Sequence, residues 1–192
     1  MTDGFLLVAK PAGITSHDAV DRVRRALGIR KVGHAGTLDP LAEGLLLMGA
    51  GRGTRLLRFL ADLDKEYEGT ARLGIETDTL DAEGTVVATG AVDVDEGALL
   101  VALAALTGAV SQLPPAYSAV KVGGEALYRA ARAGRPARAE ARVVRVDAFD
   151  LLRFATPDVE FRVVCSGGTY VRALVADLGH ALGCGAHLTR LV

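Results

Sequence analysis

Apolar and polar residues alternate along the first part of the chain in patterns that predict a strand, a helix and a second strand. Residues 5–9 form a mainly apolar run that ends at the turn sequence KPAG, which favours a strand followed by a turn. A helix is predicted next, with Thr15 or Ser16 as its N-cap and Gly28 at its end. The continuous apolar run of residues 45–50 then predicts a strand buried in a sheet.

The remaining pattern predicts more strands than helices. Side chains alternate between residues 65 and 74, so Tyr67 shares one strand face with small residues. Many neighbouring strands are joined by turns too short for crossover helices, which indicates an α+β fold with a mixed, largely antiparallel central sheet flanked by helices and loops. A Rossmann fold is therefore disfavoured. Further strands are predicted at residues 86–87, 143–154 and 159–165, and further helices at 54–60, 97–106, 125–133 and 170–182.

The composition is that of a chain able to bury a substantial core. Half of the 192 residues are hydrophobic, and no apolar run reaches the ~18 residues that a membrane-spanning helix needs. The first residues lack the basic and apolar segments of a signal peptide, so we expect a cytoplasmic protein with no membrane partner, and by default a monomer. Cys165 and Cys184 form no Cys-x-x-Cys pair, which agrees with a reducing compartment.

Charge is unevenly distributed along the chain, although the formal net charge is only −1. Residues 62–96 contain 11 acidic and 2 basic side chains, whereas residues 121–145 contain 7 basic and 2 acidic ones. The basic segment is typical of a patch that neutralises nucleic-acid phosphates. A solvated, arginine-rich helix and loop would give the same pattern, and charge alone does not separate the two interpretations.

Residues 31–45 contain the strongest candidate for chemistry. Asp39 is surrounded there by three glycines and Pro40, a composition typical of a tight loop in which the backbone approaches a ligand closely. The buried strand predicted after the loop would hold it on a rigid core. Asp39 beside His34 could form an acid/base pair, a metal site or a structural turn, and the residues themselves leave these alternatives open.

Arg172 is a second candidate, because it is predicted in the first turn of an apolar helix. An arginine at that position is poorly placed for the helix macrodipole and needs an anion. Asp39 is a candidate partner for it.

Two further motifs are weaker. Residues 49–54, GAGRGT, resemble a phosphate-binding loop, but Thr54 stands where the dinucleotide fingerprint needs glycine, so a tight strand-to-helix turn is favoured. His180, Cys184 and His187 have a spacing that could hold zinc, but the glycines beside Cys184 are more typical of a helix end. We therefore predict neither a nucleotide site nor a metal site.

Six segments together resemble the TruB family of tRNA pseudouridine synthases. They occur in the family's order from one end of the chain to the other, which makes the resemblance far more specific than any single motif. The segments are residues 33–44 (GHAGTLDPLAEG), 64–67 (DKEY), 73–81 (LGIETDTLD), 114–121 (PPAYSAVK), 168–172 (GTYVR) and 182–187 (LGCGAH).

The resemblance implies isomerisation of uridine 55 in the T loop of tRNA to pseudouridine, without a cofactor or metal. The base is flipped out, its N-glycosidic bond is cleaved, and it is rejoined through C5. Asp39 would be the catalytic aspartate and Arg172 its ion-pair partner. Tyr67 would stack on the flipped uracil and take part in proton transfer. Tyr170 and Leu191 would line the pocket, and His34 would stack inside the RNA.

Family members usually continue beyond the position of Val192 with an arginine pair, a final strand and a small RNA-binding PUA domain. We therefore expect residues 1–192 to be the catalytic domain without the C-terminal PUA domain. Two other functions compete with catalysis. One is an RNA-binding module that holds the tRNA elbow without turnover. The other is a nucleoside glycosidase, which normally uses two acidic residues, whereas no acidic partner for Asp39 is evident.

Overall fold

A computed structural model describes residues 3–135 and 137–192, and it divides the chain into two compact units. The first unit contains the described residues up to Asp64 together with Arg190–Val192. The second unit contains the described residues of Lys65–Thr189. No helix in the described part of the chain is long and apolar enough to cross a membrane.

The first unit is built on a three-stranded antiparallel sheet. Its strands are β1 (Gly4–Lys10), β2 (Val32–His34) and β3 (Gly44–Ala50), with β3 in the centre. Its helices are α1 (Ser16–Leu27) and the short α2 (Leu57–Leu60), and a 3₁₀ helix spans Gly51–Arg55. The predictions of a first strand and of a buried strand near residues 45–50 are confirmed.

Helix α1 has well-formed ends that follow from its sequence. The Thr15 side chain accepts a hydrogen bond from the Asp18 backbone, and the Asp18 carboxylate accepts one from the Thr15 backbone, which forms a capping box. Gly28 ends the helix with a φ of +63°, a left-handed conformation that glycine adopts without strain. The helix buries Ala19 and Val20 in a core cluster that includes residues of β2 and β3. The predicted helix and both of its caps are confirmed.

The second unit is built on a five-stranded sheet in the order β12-β4-β11-β10-β7. Its central pairs, β7–β10, β10–β11 and β11–β4, are all antiparallel. Two small antiparallel hairpins, β5–β6 and β8–β9, accompany it. The strands are β4 (Lys65–Leu73), β5 (Ile75–Thr77), β6 (Val86–Thr89), β7 (Gly108–Gln112), β8 (Lys121–Val122), β9 (Glu125–Ala126), β10 (Arg142–Ala155), β11 (Asp158–Cys165) and β12 (Ala186–Leu191), whose last two residues, Arg190 and Leu191, are assigned to the first unit.

Three helices belong to the second unit: α3 (Glu96–Ala105), α4 (Leu127–Arg132) and α5 (Val171–Ala181). The Asp95 side chain caps α3 by accepting a hydrogen bond from the Ala98 backbone. Helix α3 contacts β10 and α5. The buried residues of this unit include an edge-to-face pair of Phe149 and Phe161, whose ring centroids are 5.3 Å apart.

Most of the predicted elements are present, and the α+β fold with a mainly antiparallel sheet is confirmed. The helix predicted at residues 54–60 is wrong in its first half, because a 3₁₀ helix occupies Gly51–Arg55 and α2 covers only Leu57–Leu60. Strands β2, β5, β7, β9 and β12 were not predicted, and β9 occupies Glu125–Ala126, where the helix of residues 125–133 was expected to begin. Each is short, and β2 and β7 have mixed polarity, so they form through pairing with neighbours and carry no alternation strong enough to mark them.

Candidate active site

In the first unit, the loop that carries Asp39 is fixed on both sides of this residue. On the N-terminal side, the buried Ser16 hydroxyl donates to the Leu38 carbonyl at 3.0 Å and lies 2.9 Å from the Leu38 nitrogen, whose N–H donates back to it. Ser16 is the first residue of α1, so the helix start and the loop are tied together. Asp39 itself is half-buried.

On the C-terminal side, Lys10 and Gly13 hold the Pro40 carbonyl. The Gly13 N–H donates to it at 2.8 Å, and the Lys10 ammonium donates to it at 3.4 Å. The same ammonium donates to the carbonyls of Pro11 and Ile14 at 3.1 and 2.8 Å, and Lys10 is only 1% exposed. A buried ammonium requires hydrogen-bond acceptors, so Lys10 holds these three carbonyls together beside the Asp39 loop. Sequence reasoning missed Ser16 and Lys10 as supports of Asp39.

His34 and Leu191 belong to the same unit as Asp39. His34 ends β2 and is half-buried. Burial lowers the pKa of its imidazole below the ordinary value, with the Gly36 backbone opposing the change, so the ring is neutral at pH 7. Its Nδ1 is buried and has no hydrogen-bond partner within the described residues. The Leu191 carbonyl accepts a hydrogen bond from the Glu43 backbone at 3.0 Å, which ties Leu191 to the end of the Asp39 loop.

In the second unit, Tyr67 lies on β4 with the environment that the alternation predicts. The strand buries Gly69, Ala71 and Leu73, which share a face with Tyr67, while the intervening Glu66 and Glu68 are exposed. Tyr67 is half-buried and pairs in register with Val163 of β11. A tyrosine held on a rigid strand beside small residues is suited to offer its ring to a planar ligand.

Arg172, in the first turn of α5, has the anion that its position requires. Its Nη1 lies 3.3 Å from the Asp81 carboxylate, and both side chains are about 95% buried, with exposures of 4% and 5%. The guanidinium also donates to the carbonyls of Thr79 at 2.6 Å and Tyr117 at 3.2 Å. Arg172 therefore joins α5 to two loops of the second unit. Its pairing with Asp39 stays a prediction.

Asp81 was not singled out as a site residue by sequence reasoning, and an aspartate in a polar segment commonly has a turn role. That role is present, because its carboxylate accepts hydrogen bonds from the Thr79 hydroxyl at 2.6 Å and the Glu83 backbone at 3.1 Å. The same carboxylate also neutralises Arg172. The signal that could have found Asp81 was the need of an arginine in an apolar helix for an anion, compared with every acidic turn of the sequence as well as with Asp39.

Tyr170 is the N-cap residue of α5, but its side chain makes no capping hydrogen bond. The fully buried Gln112 of β7 instead binds its backbone, and Arg142 of β10 places its guanidinium carbon 4.8 Å from the centroid of the Tyr170 ring. Tyr170 and Arg172 are thus fixed by different groups within one helical turn.

The weaker motifs have structural explanations. A Cβ on Gly53 would collide with the Gly4 carbonyl, so this glycine of the 49–54 segment is needed for packing. His187 binds the Ile75 carbonyl through Nδ1 at 2.9 Å, and His180 lies 3.5 Å from the Glu76 carboxylate. Within residues 3–135 and 137–192 there is no group of three or more acidic, histidine or cysteine side chains that could hold a metal ion.

The basic segment of residues 121–145 is partly neutralised within the second unit. Arg135 pairs with Glu125 at 3.1 Å, and Arg145 pairs with Asp147 at 2.8 Å. Arg129 and Arg132 each lie 5.8 Å from the centroid of the Tyr128 ring. These ion pairs are exposed and therefore weak, so their arginines can still exchange partners with phosphate.

Comparison with known proteins agrees with the sequence resemblance. Residues 24–171 match the family described as TruB family pseudouridylate synthase (N terminal domain). The chain is 52% identical over 189 residues to tRNA pseudouridine synthase B of Burkholderia pseudomallei (strain 668), covering 98% of this chain and 63% of that protein. It is 50% identical over 190 residues to the protein of that name from Opitutus terrae (strain DSM 11246 / JCM 15787 / PB90-1), covering 98% and 79%. The chain thus spans less than two thirds of the Burkholderia relative.

Two solved structures also contain chains that are similar to this one. One chain of a Cbf5-Nop10-Gar1 complex is similar with a TM-score of 0.76 and 31% identity, over 98% of this chain and 47% of that one. A chain of an H/ACA RNP bound to a substrate RNA containing 2'-deoxyuridine is similar with a TM-score of 0.72 and 28% identity, over 98% and 45%. The family match covers most of the chain and includes the Asp39 loop. This protein therefore belongs to the TruB family of pseudouridylate synthases.

Proposed function

We propose that this chain isomerises uridine to pseudouridine in tRNA, and that its target is uridine 55 in the T loop. The observation that carries the proposal is the Asp39 loop, whose backbone is held on one side by Ser16 and on the other by Lys10 and Gly13. A carboxylate that must act on one atom of a flipped nucleotide needs such a fixed backbone. The tRNA pseudouridine synthase B relatives at 50–52% identity support tRNA as the substrate.

The reaction is an isomerisation that needs no oxidant, reductant or co-substrate. The bond between uracil N1 and ribose C1' breaks, a bond between C5 and C1' forms, C5 loses its proton to solvent, and N1 gains one. Asp39 supplies the carboxylate on which cleavage depends, by attack on the sugar or base or by removal of a ribose proton. Three chemical routes thus share one residue, and each requires it to be ionised.

Binding must first remove the uracil from the stacked T loop. Unstacking costs a few kcal/mol, and a tyrosine face returns about 1–3 kcal/mol by stacking on the flipped base. Tyr67 on its rigid strand is assigned this role together with proton transfer, and Tyr170 and Leu191 line the pocket. The neutral His34 ring is suited to stack inside the RNA at the site that the flipped bases leave, because a neutral imidazole is more easily desolvated than a charged one.

Tritium release tests the proposal. An unmodified tRNA transcript labelled with tritium at uridine C5 would be incubated with the parent chain and with Asp39→Asn, and tritium in water would be counted. We expect release by the parent only, with both proteins binding tRNA to a similar degree. No release from the parent while tRNA stays bound would favour a binding module without turnover. Release by Asp39→Asn at the parent rate would remove Asp39 from the chemistry.

A further inference from the structure

The environment of Tyr170 contains an arrangement that its pocket role does not explain. Helix N-caps favour serine, threonine, aspartate and asparagine, whose short side chains bind the free backbone N–H groups. Tyr170 occupies this position in α5, with φ −96° and ψ 104°, and contributes no side-chain cap. The Tyr170 side chain therefore contributes no capping hydrogen bond, and its position has to be explained by other contacts.

Gln112 binds the backbone of Tyr170 itself. Its side-chain amide donates to the Tyr170 carbonyl at 3.0 Å and its side-chain carbonyl accepts from the Tyr170 N–H at 2.8 Å. Gln112 is fully buried, at 0% exposure, at the end of β7. A buried amide with both of its groups directed at one residue fixes the position of that residue's backbone.

Arg142 fixes the ring. It lies directly opposite Gln112 in the β7–β10 ladder, so the two side chains reach Tyr170 from neighbouring strands. Its guanidinium carbon is 4.8 Å from the Tyr170 ring centroid, within the range of a cation–π contact. Its Nη2 also donates to the Gly168 carbonyl. The Arg142 guanidinium therefore contacts both the Tyr170 ring and the turn before α5.

We infer that Gln112 and Arg142 are positioning residues for Tyr170, which hold its backbone and its ring in the orientation that receives the flipped uracil. The inference rests on the proposed function, because it gives Tyr170 a place in the uracil pocket. A misplacement of about 1 Å in a binding group can slow an enzyme about a hundredfold, which is why such a ring would need two supports. Arg142 acts through the ring here and not as a phosphate contact.

The first test is independent of turnover. The chain has four tyrosines and no tryptophan, so a sample with ¹³C-labelled tyrosine rings gives a small set of ring signals, and Tyr170→Phe identifies that of Tyr170. We expect Arg142→Gln to shift the Tyr170 signal, and to abolish the further shift that a T-arm stem-loop RNA causes in the parent. Arg153→Gln is the matched control, because Arg153 is an exposed arginine on the same strand that pairs with Glu160 at 3.1 Å. An unchanged Tyr170 signal in Arg142→Gln would overturn the inference.

The second test asks whether the effect passes through Tyr170. Loss of one cation–π contact predicts a roughly three- to thirtyfold lower single-turnover rate for Arg142→Gln, with tRNA affinity nearly unchanged. In a Tyr170→Leu background, the same substitution should cause no further loss. An equal loss in both backgrounds, or a loss of tRNA affinity alone, would make Arg142 an RNA contact and overturn the inference. Gln112→Leu should likewise lower the rate in the parent and cause no further loss in the Tyr170→Leu background, and an equal loss in both backgrounds would remove Gln112 from the inference.

The two proposals fail separately. If the parent chain releases no tritium, the proposed function fails, and the tyrosine signals with and without stem-loop RNA still decide whether Arg142 positions Tyr170. If the parent is active but the Tyr170 ring signal is unchanged in Arg142→Gln, only the positioning role fails.

Discussion

Replacing Arg172 with methionine would leave the Asp81 carboxylate buried beside an apolar side chain. Both members of this ion pair are almost completely buried, at 4% and 5% exposure, with 3.3 Å between nitrogen and oxygen. Removing one partner of a buried pair costs about 3–5 kcal/mol, because the remaining charge keeps its desolvation penalty without its counter-ion. The Thr79 and Tyr117 carbonyls lose donors as well, so we expect the upper part of that range.

Stability would be measured by urea unfolding followed by circular dichroism, for Arg172→Met, Asp81→Asn and the double variant. A loss of about 4 kcal/mol is a large fraction of the 5–15 kcal/mol that stabilises a typical domain. We expect the double variant to lose less than the sum of the two single losses, because the second substitution removes the stranded charge. The slope of the transition should stay constant among variants for the comparison to hold.

Arg72→Met is the matched control. Arg72 pairs with Asp158 at 2.8 Å, a shorter distance than in the buried pair, but these side chains are 44% and 36% exposed. Solvent screens an exposed pair, so its loss should cost only about 0–1 kcal/mol. The reasoning would be refuted if Arg172→Met cost no more than Arg72→Met, or if the losses in the double variant were additive.

Three further predictions follow from single contacts. Ser16→Ala should lose about 1–3 kcal/mol, because both backbone groups of Leu38 lose a partner, and should slow tritium release more than it weakens tRNA binding; equal effects would contradict this. Gly179→Ala should destabilise the protein in urea, although alanine normally stabilises a helix, because its Cβ would collide with the Ala186 backbone; a gain would contradict it. Burial raises the pKa of the Asp177 carboxyl, so the folded state binds its proton more tightly and stability falls as pH rises through that range. Asp177→Asn should therefore be more stable than the parent at pH 7, and the difference should vanish at about pH 3 in urea unfolding; equal stability at pH 7 would contradict this.

The sequence predicts the parts of the fold whose pattern is local. Tyr67 is placed correctly because a nine-residue strand, Lys65–Leu73, alternates without interruption. The caps of α1 are placed correctly because Thr15 and Gly28 have conformational preferences that neighbours do not alter. Strand β7 could not be predicted from the sequence, because its five residues carry no clear alternation and form a strand through pairing with β10.

The residues of the candidate site likewise include some that the sequence identifies and others that only folding brings to the site. The loop around Asp39 can be predicted because glycine and proline beside an aspartate favour a tight turn, while the catalytic role of Asp39 stays a prediction. Its supports are not identifiable, since Lys10 and Ser16 look like a turn residue and a helix cap until folding brings them to the loop. The partnership of Arg172 with Asp81 is likewise long-range: the sequence predicts that the arginine needs an anion, and folding brings Asp81 to it.

The roles of His34, Tyr67, Tyr170 and Leu191 toward RNA stay predictions, and each depends on a flipped uridine at one position of the T loop. The most direct measurement therefore uses two tRNA transcripts tritiated at every uridine C5, one with uridine and one with cytidine at position 55. The account predicts release of one equivalent of tritium from the first transcript and none from the second, with no release from either by Asp39→Asn. Equal release from both transcripts would contradict uridine 55 as the target, and no release from either by the parent chain would contradict pseudouridine synthesis itself.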